Sequence, residues 1–213
     1  MQIKADTKKL TRYLNSVQRK QIPFATSKAL NDVAFDARKA IQEDLPKQLD
    51  RPTKGLVRSV IVVKSTKKNL VAMVGFAGRG FGKTKWSESP AEIMGRLITG
   101  GARKPTGKAI LVPVAKNVKL NKFGNLPRTK IKTMLSKSKR YFSGTPKGRG
   151  PGVYERVKKR GKQGQLKMIA SWKQSTSYNA GSFNLVRVVQ KTVAKKYKTR
   201  FNEALADALR TAK

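Results

Sequence analysis

The sequence predicts an α+β fold: an antiparallel sheet, formed by a hairpin and later strands, packed by N-terminal and C-terminal helices and carrying a long basic loop insertion. Three observations predict it. Apolar residues recur at helical spacing at both ends of the 213-residue chain. Two runs rich in β-branched residues, joined by a short polar link, follow the first helices. Between these and the last helix lies a stretch crowded with glycine, proline, lysine and arginine. The reading is one α+β domain over 1–213, with 77–165 as an extended basic insertion too poor in apolar residues to build a second core.

Each element has its own signal. Residues 6–20 place Leu10, Tyr13, Leu14 and Val17 on one helical face, and Pro23 interrupts. A second helix is predicted over 24–45, with a stripe of Leu30, Val33, Ala34, Ala37, Ile41 and Leu45, closed by Pro46. Residues 56–64 and 70–76 read as a hairpin. Both of its faces are partly apolar, so a helix is expected to cover one of them. Residues 89–99 form a short helix after Pro90, ended by Gly100 and Gly101. Residues 109–114 read as a strand that Pro113 confines to an edge or an end. Ile131, Met134 and Leu135 hint at a short helix. Residues 166–172 and 183–189 read as two further strands. Residues 191–212 form the clearest helix, with Val193, Tyr197, Phe201, Leu205 and Leu209 at every fourth position.

Charge is the strongest functional signal. Lysine and arginine number 49 against 11 acids, a formal net charge of +38. From 93 to 202 the only acid is Glu155, against 28 basic residues. Like charges within a Debye length, about 10 Å at 0.1 M salt, raise the energy of the compact state. A polyanion or an acidic protein neighbour is therefore expected beside the working protein. The candidate contact residues are Arg79, Lys83 and Lys85; Arg103 and Lys104; Lys137, Lys139 and Arg140; Lys147 and Arg149; and Arg156, Lys158, Lys159, Arg160 and Lys162.

The same composition argues against chemistry. Histidine and cysteine are both absent, which removes the commonest general base and metal ligand, every thiolate site and any disulfide. No catalytic residue, metal or cofactor is expected. Residues 77–84 (AGRGFGKT) imitate a phosphate-binding loop, but Ala77 stands where that loop requires glycine, and 86–90 intervene before any helix. A nuclease or NTPase would need magnesium-dependent activity that Lys83→Ala abolishes, and none is expected. Aromatic residues near the basic clusters (Phe81, Trp86, Tyr141, Phe142 and Tyr154) do not form an RNP-like stacking pattern. No apolar run is long enough to span a membrane, and the N-terminus has no signal-peptide core. A soluble protein made inside the cell is expected.

Three stretches carry a family likeness. They are the alanine-rich 22–38 (IPFATSKALNDVAFDAR) followed by a basic loop and 56–61 (LVRSVI); 152–156 (GVYER), leading into an apolar strand; and 193–209, containing Arg200-Phe201 and 204–209 (ALADAL). In these the chain resembles the minor tail protein Z and tail-completion proteins of tailed bacteriophages. The resemblance covers about half the chain and implies a small α+β subunit of a helix–hairpin–helix plan. Such a subunit forms a ring at the head-proximal end of the tail, or completes the tail so that a head can join. The insertion 78–149 departs from that pattern.

The expected function is thus that of a non-enzymatic virion protein of the tail or neck, made in the host cytoplasm. Its expected partners are other virion proteins (tail tube, adaptor or portal ring), further copies of itself in a ring, and double-stranded DNA bound without sequence preference. The alternative is a basic RNA-binding ribosomal or ribonucleoprotein component, which explains the charge equally well.

Overall fold

A computed structural model describes residues 7–78, 88–127, 129–159, 162–181 and 183–211. The architecture is α+β, with antiparallel sheets and helices at both ends. The chain divides into two compact units: residues 1–49, 54–94 and 183–213 form the first, and residues 50–53 and 95–182 the second.

The first unit begins with α1 (Thr7–Ser16), a π-helical turn (Val17–Gln21) and α2 (Ile22–Gln48). Pro23 does not break the chain here. It sits in the first turn of α2, where its missing N–H is tolerated, and the wider π turn absorbs the irregularity just before it. Nor does Pro46 close α2, which runs two residues further. Leu49 N–H then bonds the Leu45 carbonyl at 3.0 Å, and Leu49 itself is extended. The buried face of α2 is Ala25, Ser27, Ala29, Val33, Ala34, Ala37, Ile41 and Leu45.

The closing helix α6 spans Leu185–Arg210 and packs along α2. Lys28 meets Asp207 while Asp36 meets Lys196 and Arg200, so the two helices run antiparallel. Ala25 and Ala29 face Ala204 and Ala208, all essentially inaccessible, with Tyr197, Phe201 and Leu205 beside them. Small side chains allow the two backbones close approach.

The strand expected over 183–189 is corrected: Asn184 caps α6, its Oδ1 accepting from Arg187 N–H at 2.9 Å, and the β-branched residues Val186, Val188 and Val189 are helical. Valine costs a helix only a few tenths of a kcal/mol per residue, which a cap and tertiary packing override. Phe183, just outside the cap, is buried edge-on against Phe76 at 6.4 Å.

Between these helices lie α3 (Lys54–Arg58), β1 (Val60–Val63) and β2 (Met73–Phe76). The expected strand over 56–64 therefore starts later, because Leu56 is buried from a helical turn instead. β1 and β2 pair antiparallel, Val60 opposite Phe76 and Val63 opposite Met73. The loop after β1 is pinned to α2 through Ser65: its N–H donates to Asn31 Oδ1 at 2.7 Å, its carbonyl accepts from Asn31 Nδ2 at 3.2 Å, and its hydroxyl donates to the Ser27 carbonyl at 3.0 Å.

Helix α4 (Pro90–Thr99) matches the sequence expectation and carries the chain into the second unit. Its start is a reciprocal cap: Ser89 Oγ accepts from Glu92 N–H, and Glu92 Oε2 from Ser89 N–H.

The second unit holds β3 (Gly101–Arg103), β4 (Ile110–Pro113), α5 (Lys130–Leu135), β5 (Tyr141–Gly144), β6 (Gly152–Lys159), β7 (Lys162–Lys173) and β8 (Thr176–Tyr178). One sheet has the order β4-β7-β6-β5, and β3 pairs separately with β8. β4 is an edge strand, as Pro113 predicts.

The expectation of a loop insertion without a core is corrected by these elements. Val118, Val153 and Ile169 are buried together, with Leu111, Leu120, Leu126, Ile131, Met134, Leu135, Tyr141 and Trp172 packed on them. These apolar residues are spread through a basic sequence, and they meet only because α5 and the segment before it pack with residues of the paired strands. Gly152 is required there, since a Cβ would meet the Ala170 carbonyl oxygen at 2.5 Å.

Candidate polyanion-contact surface

The second unit carries 23 lysine and arginine residues against two acids, Asp50 and Glu155. Both acids are already engaged. Asp50 takes two hydrogen bonds at 2.9 Å from the neighbouring Arg51, which holds its carboxyl below the usual carboxylate range. Glu155, whose side chain is largely buried, lies 2.6 Å from Arg140 and also accepts from Tyr141. The hydrogen bond that Arg140 donates to Glu155 raises its guanidinium above its ordinary value. Both carboxylates of this unit are thus engaged by arginines.

The β5–β6 pair organises part of that surplus. Tyr141 stands opposite Glu155, and Phe142 opposite Tyr154. Side chains alternate along a strand, so Tyr154 and Arg156 share one face and Glu155 takes the other. On the first face Phe142 stacks on Tyr154, centroids 5.7 Å apart, and the Arg156 guanidinium lies 4.3 Å from the Phe142 centroid. Tyr154, fully buried, donates its hydroxyl to the Gly150 carbonyl at 2.5 Å. Arg156 Nη1 donates to the Ser138 carbonyl at 2.8 Å, in the turn after α5. Arg149 Nη1 donates to the carbonyl of Leu166, which is the cross-strand partner of Arg156.

Arg140, Arg149 and Arg156 are thus oriented by a carboxylate, two carbonyls and an aromatic ring. A guanidinium has five N–H donors and these contacts use a minority, so the exposed remainder can meet an anion. Around them Lys137, Lys139 and Lys147 are exposed, Lys147 in a turn where Gly148 adopts φ +73°.

Other candidates fall elsewhere. Arg103 ends β3, and the exposed Lys104 follows it, on the separate β3–β8 sheet. Lys158 and Lys159 lie at the end of β6 and Lys162 begins β7, with Lys159 opposite Lys162 in the ladder. Arg79, Lys83, Lys85 and Arg160, with most of the glycine-rich segment 77–84, lie outside the described residues.

The Tyr154–Phe142–Arg156 stack is what sequence reasoning missed. Its one readable signal was Tyr and Arg two positions apart in a strand, next to an aromatic pair. Tyr154 and Arg156 both lie against the Phe142 ring, which orients the Arg156 guanidinium.

The first unit contains a groove of 620 Å³ between α2 and the N-terminal half of α6. Its α2 wall carries Asp36, Glu43 and Asp44, and its α6 wall carries Arg187, Lys191 and Lys195. Its charges are mixed rather than of one sign. At its end burial alone would push the Asp36 carboxyl up, but hydrogen bonds from Lys196 and Arg200 outweigh this and hold it below its ordinary value.

No protein-family model, no curated protein and no solved structure matches this chain.

Proposed function

We propose that the protein is a non-enzymatic structural subunit of a tailed-bacteriophage particle, placed in the tail or at the head–tail junction. Its second unit holds acidic neighbouring subunits and the phosphates of the DNA end. The observation that carries this reading is the second unit's cation surplus, with Asp50 and Glu155 already paired inside it. A unit in that state repels itself unless an outside anion neutralises it. The terminal helices, the hairpin and the α+β plan support the reading, since the resemblance to tail-completion proteins implies the same order of elements. DNA must slide through a tail at ejection, so most of the cations are assigned to protein neighbours and only the exposed lysines of this surface to DNA.

The test has two arms. Binding to a short duplex is measured across a salt series. Replacing Lys137, Lys139 and Lys147 by alanine flattens the slope of log K against log salt by about 0.9 per lost phosphate contact. An unchanged slope removes these residues from DNA. Particles lacking the protein are then imaged, and unjoined heads and tails, or truncated tails, are expected. Normal infectious particles, or ribosomal RNA retained in the purified protein, would overturn the assignment.

A further inference from the structure

The β6–β7 pair outruns the sheet that supports it. β5 pairs with β6 only as far as Glu155, and one further bond joins Arg156 N–H to the Arg140 carbonyl at 2.8 Å. On the other side β4 pairs with residues 170–173 of β7. Val114 N–H then bonds the Ile169 carbonyl at 2.9 Å, and Asn117 Nδ2 the Met168 carbonyl at 2.7 Å. Beyond the Arg156–Leu166 row the two strands pair only with each other among the described residues, Val157 opposite Gln165 and Lys159 opposite Lys162. That row is braced from outside: Arg156 Nη1 donates to the Ser138 carbonyl at 2.8 Å, and Arg149 Nη1 to the Leu166 carbonyl at 3.0 Å. The result is a two-stranded arm on a braced root. At about 3.4 Å per residue, β6 carries it roughly 10 Å past the root by Lys159.

The composition of the arm selects its occupant. Lys158 and Lys159 stand on one strand and Lys162 and Lys167 on the other, and the sequence holds no acid between Glu155 and Glu203. The Lys159–Lys162 row sets like charges directly opposite one another, which is unfavourable in a bare ribbon. Two strands alone are also marginal in water. An anion laid along the arm removes both penalties. No aromatic residue lies between Tyr154 and Trp172, and lysine is depleted from protein–protein interfaces, so the arm is poorly made for a protein neighbour. Duplex DNA fits it in charge and in shape. The major groove of B-DNA is about 12 Å wide and 8.5 Å deep and admits a two-stranded ribbon, whereas the minor groove is only about 6 Å wide. Strands about 4.8 Å apart with a reach of roughly 10 Å match the first of these. We infer that the β6–β7 arm enters the major groove of duplex DNA, with Lys158 and Lys159 against the phosphates of one wall and Lys162 against those of the other. This inference rests on the DNA contact proposed for the second unit and gives that contact an element and a groove.

The test uses the full chain and two short fluorescent duplexes of one sequence, one DNA and one RNA, titrated by anisotropy near physiological salt. A-form RNA has a deep, narrow major groove that shuts the arm out. The parent chain should therefore bind the DNA roughly tenfold more tightly, the scale of about one charge-assisted contact. The triple variant Lys158→Gln, Lys159→Gln, Lys162→Gln should lose that preference. Netropsin, which fills the minor groove, should leave the parent's DNA binding intact. Equal affinity of the parent for the two duplexes overturns the proposal without reference to any variant. A preference that survives in the triple variant, or displacement by netropsin, overturns it as well. DNA binding that weakens on replacing Lys137, Lys139 and Lys147 but not in the triple variant rejects the arm and leaves the proposed DNA contact standing. Failure of the parent to bind either duplex overturns both. A triple variant that loses affinity for a polyglutamate peptide while keeping its DNA preference would assign the arm to an acidic protein instead.

Discussion

Replacing Asp36 by asparagine should loosen the packing of α6 on α2. Asp36 is 17% exposed and accepts from Lys196 at 3.0 Å through one oxygen and from Arg200 at 3.2 and 3.3 Å through the other. Hydrogen bonds to a charged group contribute about 1.5–3 kcal/mol, and a well-exposed pair much less. Lys196 and Arg200 are 44% and 39% exposed, so water takes over part of their solvation and the lower end applies, about 1.5 kcal/mol. With a urea slope of about 2 kcal/mol/M, the midpoint falls by roughly 0.7 M. Far-ultraviolet circular dichroism reads this, because α2 and α6 are the two longest helices, at 27 and 26 residues.

The pH dependence of the Asp36→Asn effect has a definite sign. The Asp36 carboxyl lies below its ordinary value in the folded chain. Its contribution is therefore complete above the unfolded value of about 3.9 and is lost as pH falls through the folded value. The gap between parent and variant should be constant from neutral pH down to about pH 5 and close below that. It should also shrink in 1 M salt, where the Debye length is about 3 Å. Glu43→Gln is the control: its pair with Lys39, at 4.0 Å between two well-exposed side chains, should leave the midpoint where it was. Equal midpoints for parent and Asp36→Asn at low salt and neutral pH, or a gap that widens on acidification, would refute the reasoning.

Two further outcomes follow from packing. Gly152→Ala should destabilise the second unit by about 1–3 kcal/mol, because the new methyl meets the Ala170 carbonyl oxygen at 2.5 Å and the β6–β7 ladder must shift; the readout is the fluorescence of Trp172, on the neighbouring strand. Asn184→Ala should cost about 1 kcal/mol by removing the cap on the Arg187 N–H, and Asn184→Asp should keep most of it, both read as shifts in the urea midpoint.

Much of the fold is readable because its signals are local. The stripe of α2 from Val33 to Leu45, the β1–β2 hairpin, the start of α4 at Pro90 and the edge position of β4 at Pro113 each follow from neighbouring residues alone. The errors share one cause. The β-branched residues after Phe183 favour a strand locally, but the Asn184 cap and the packing of α6 on α2 make them helical. Pro23 and Pro46 look like breaks, yet Pro23 falls in the first turn of α2, where a missing N–H costs least, and Pro46 removes one bond only in the last turn, after which α2 runs just two residues further.

Sequence by itself determined the charge, the lack of histidine and cysteine, the helices at both ends and the apolar character of both hairpin faces, because composition and periodicity need no knowledge of distant partners. Only the tertiary structure decided that the basic middle of the chain has its own core around Val153 and Ile169, that Arg156 is held against Phe142 and the Ser138 carbonyl, and which hairpin face α2 covers. Each of those depends on residues far apart in the chain meeting across strands or helices, and no local pattern records such a meeting.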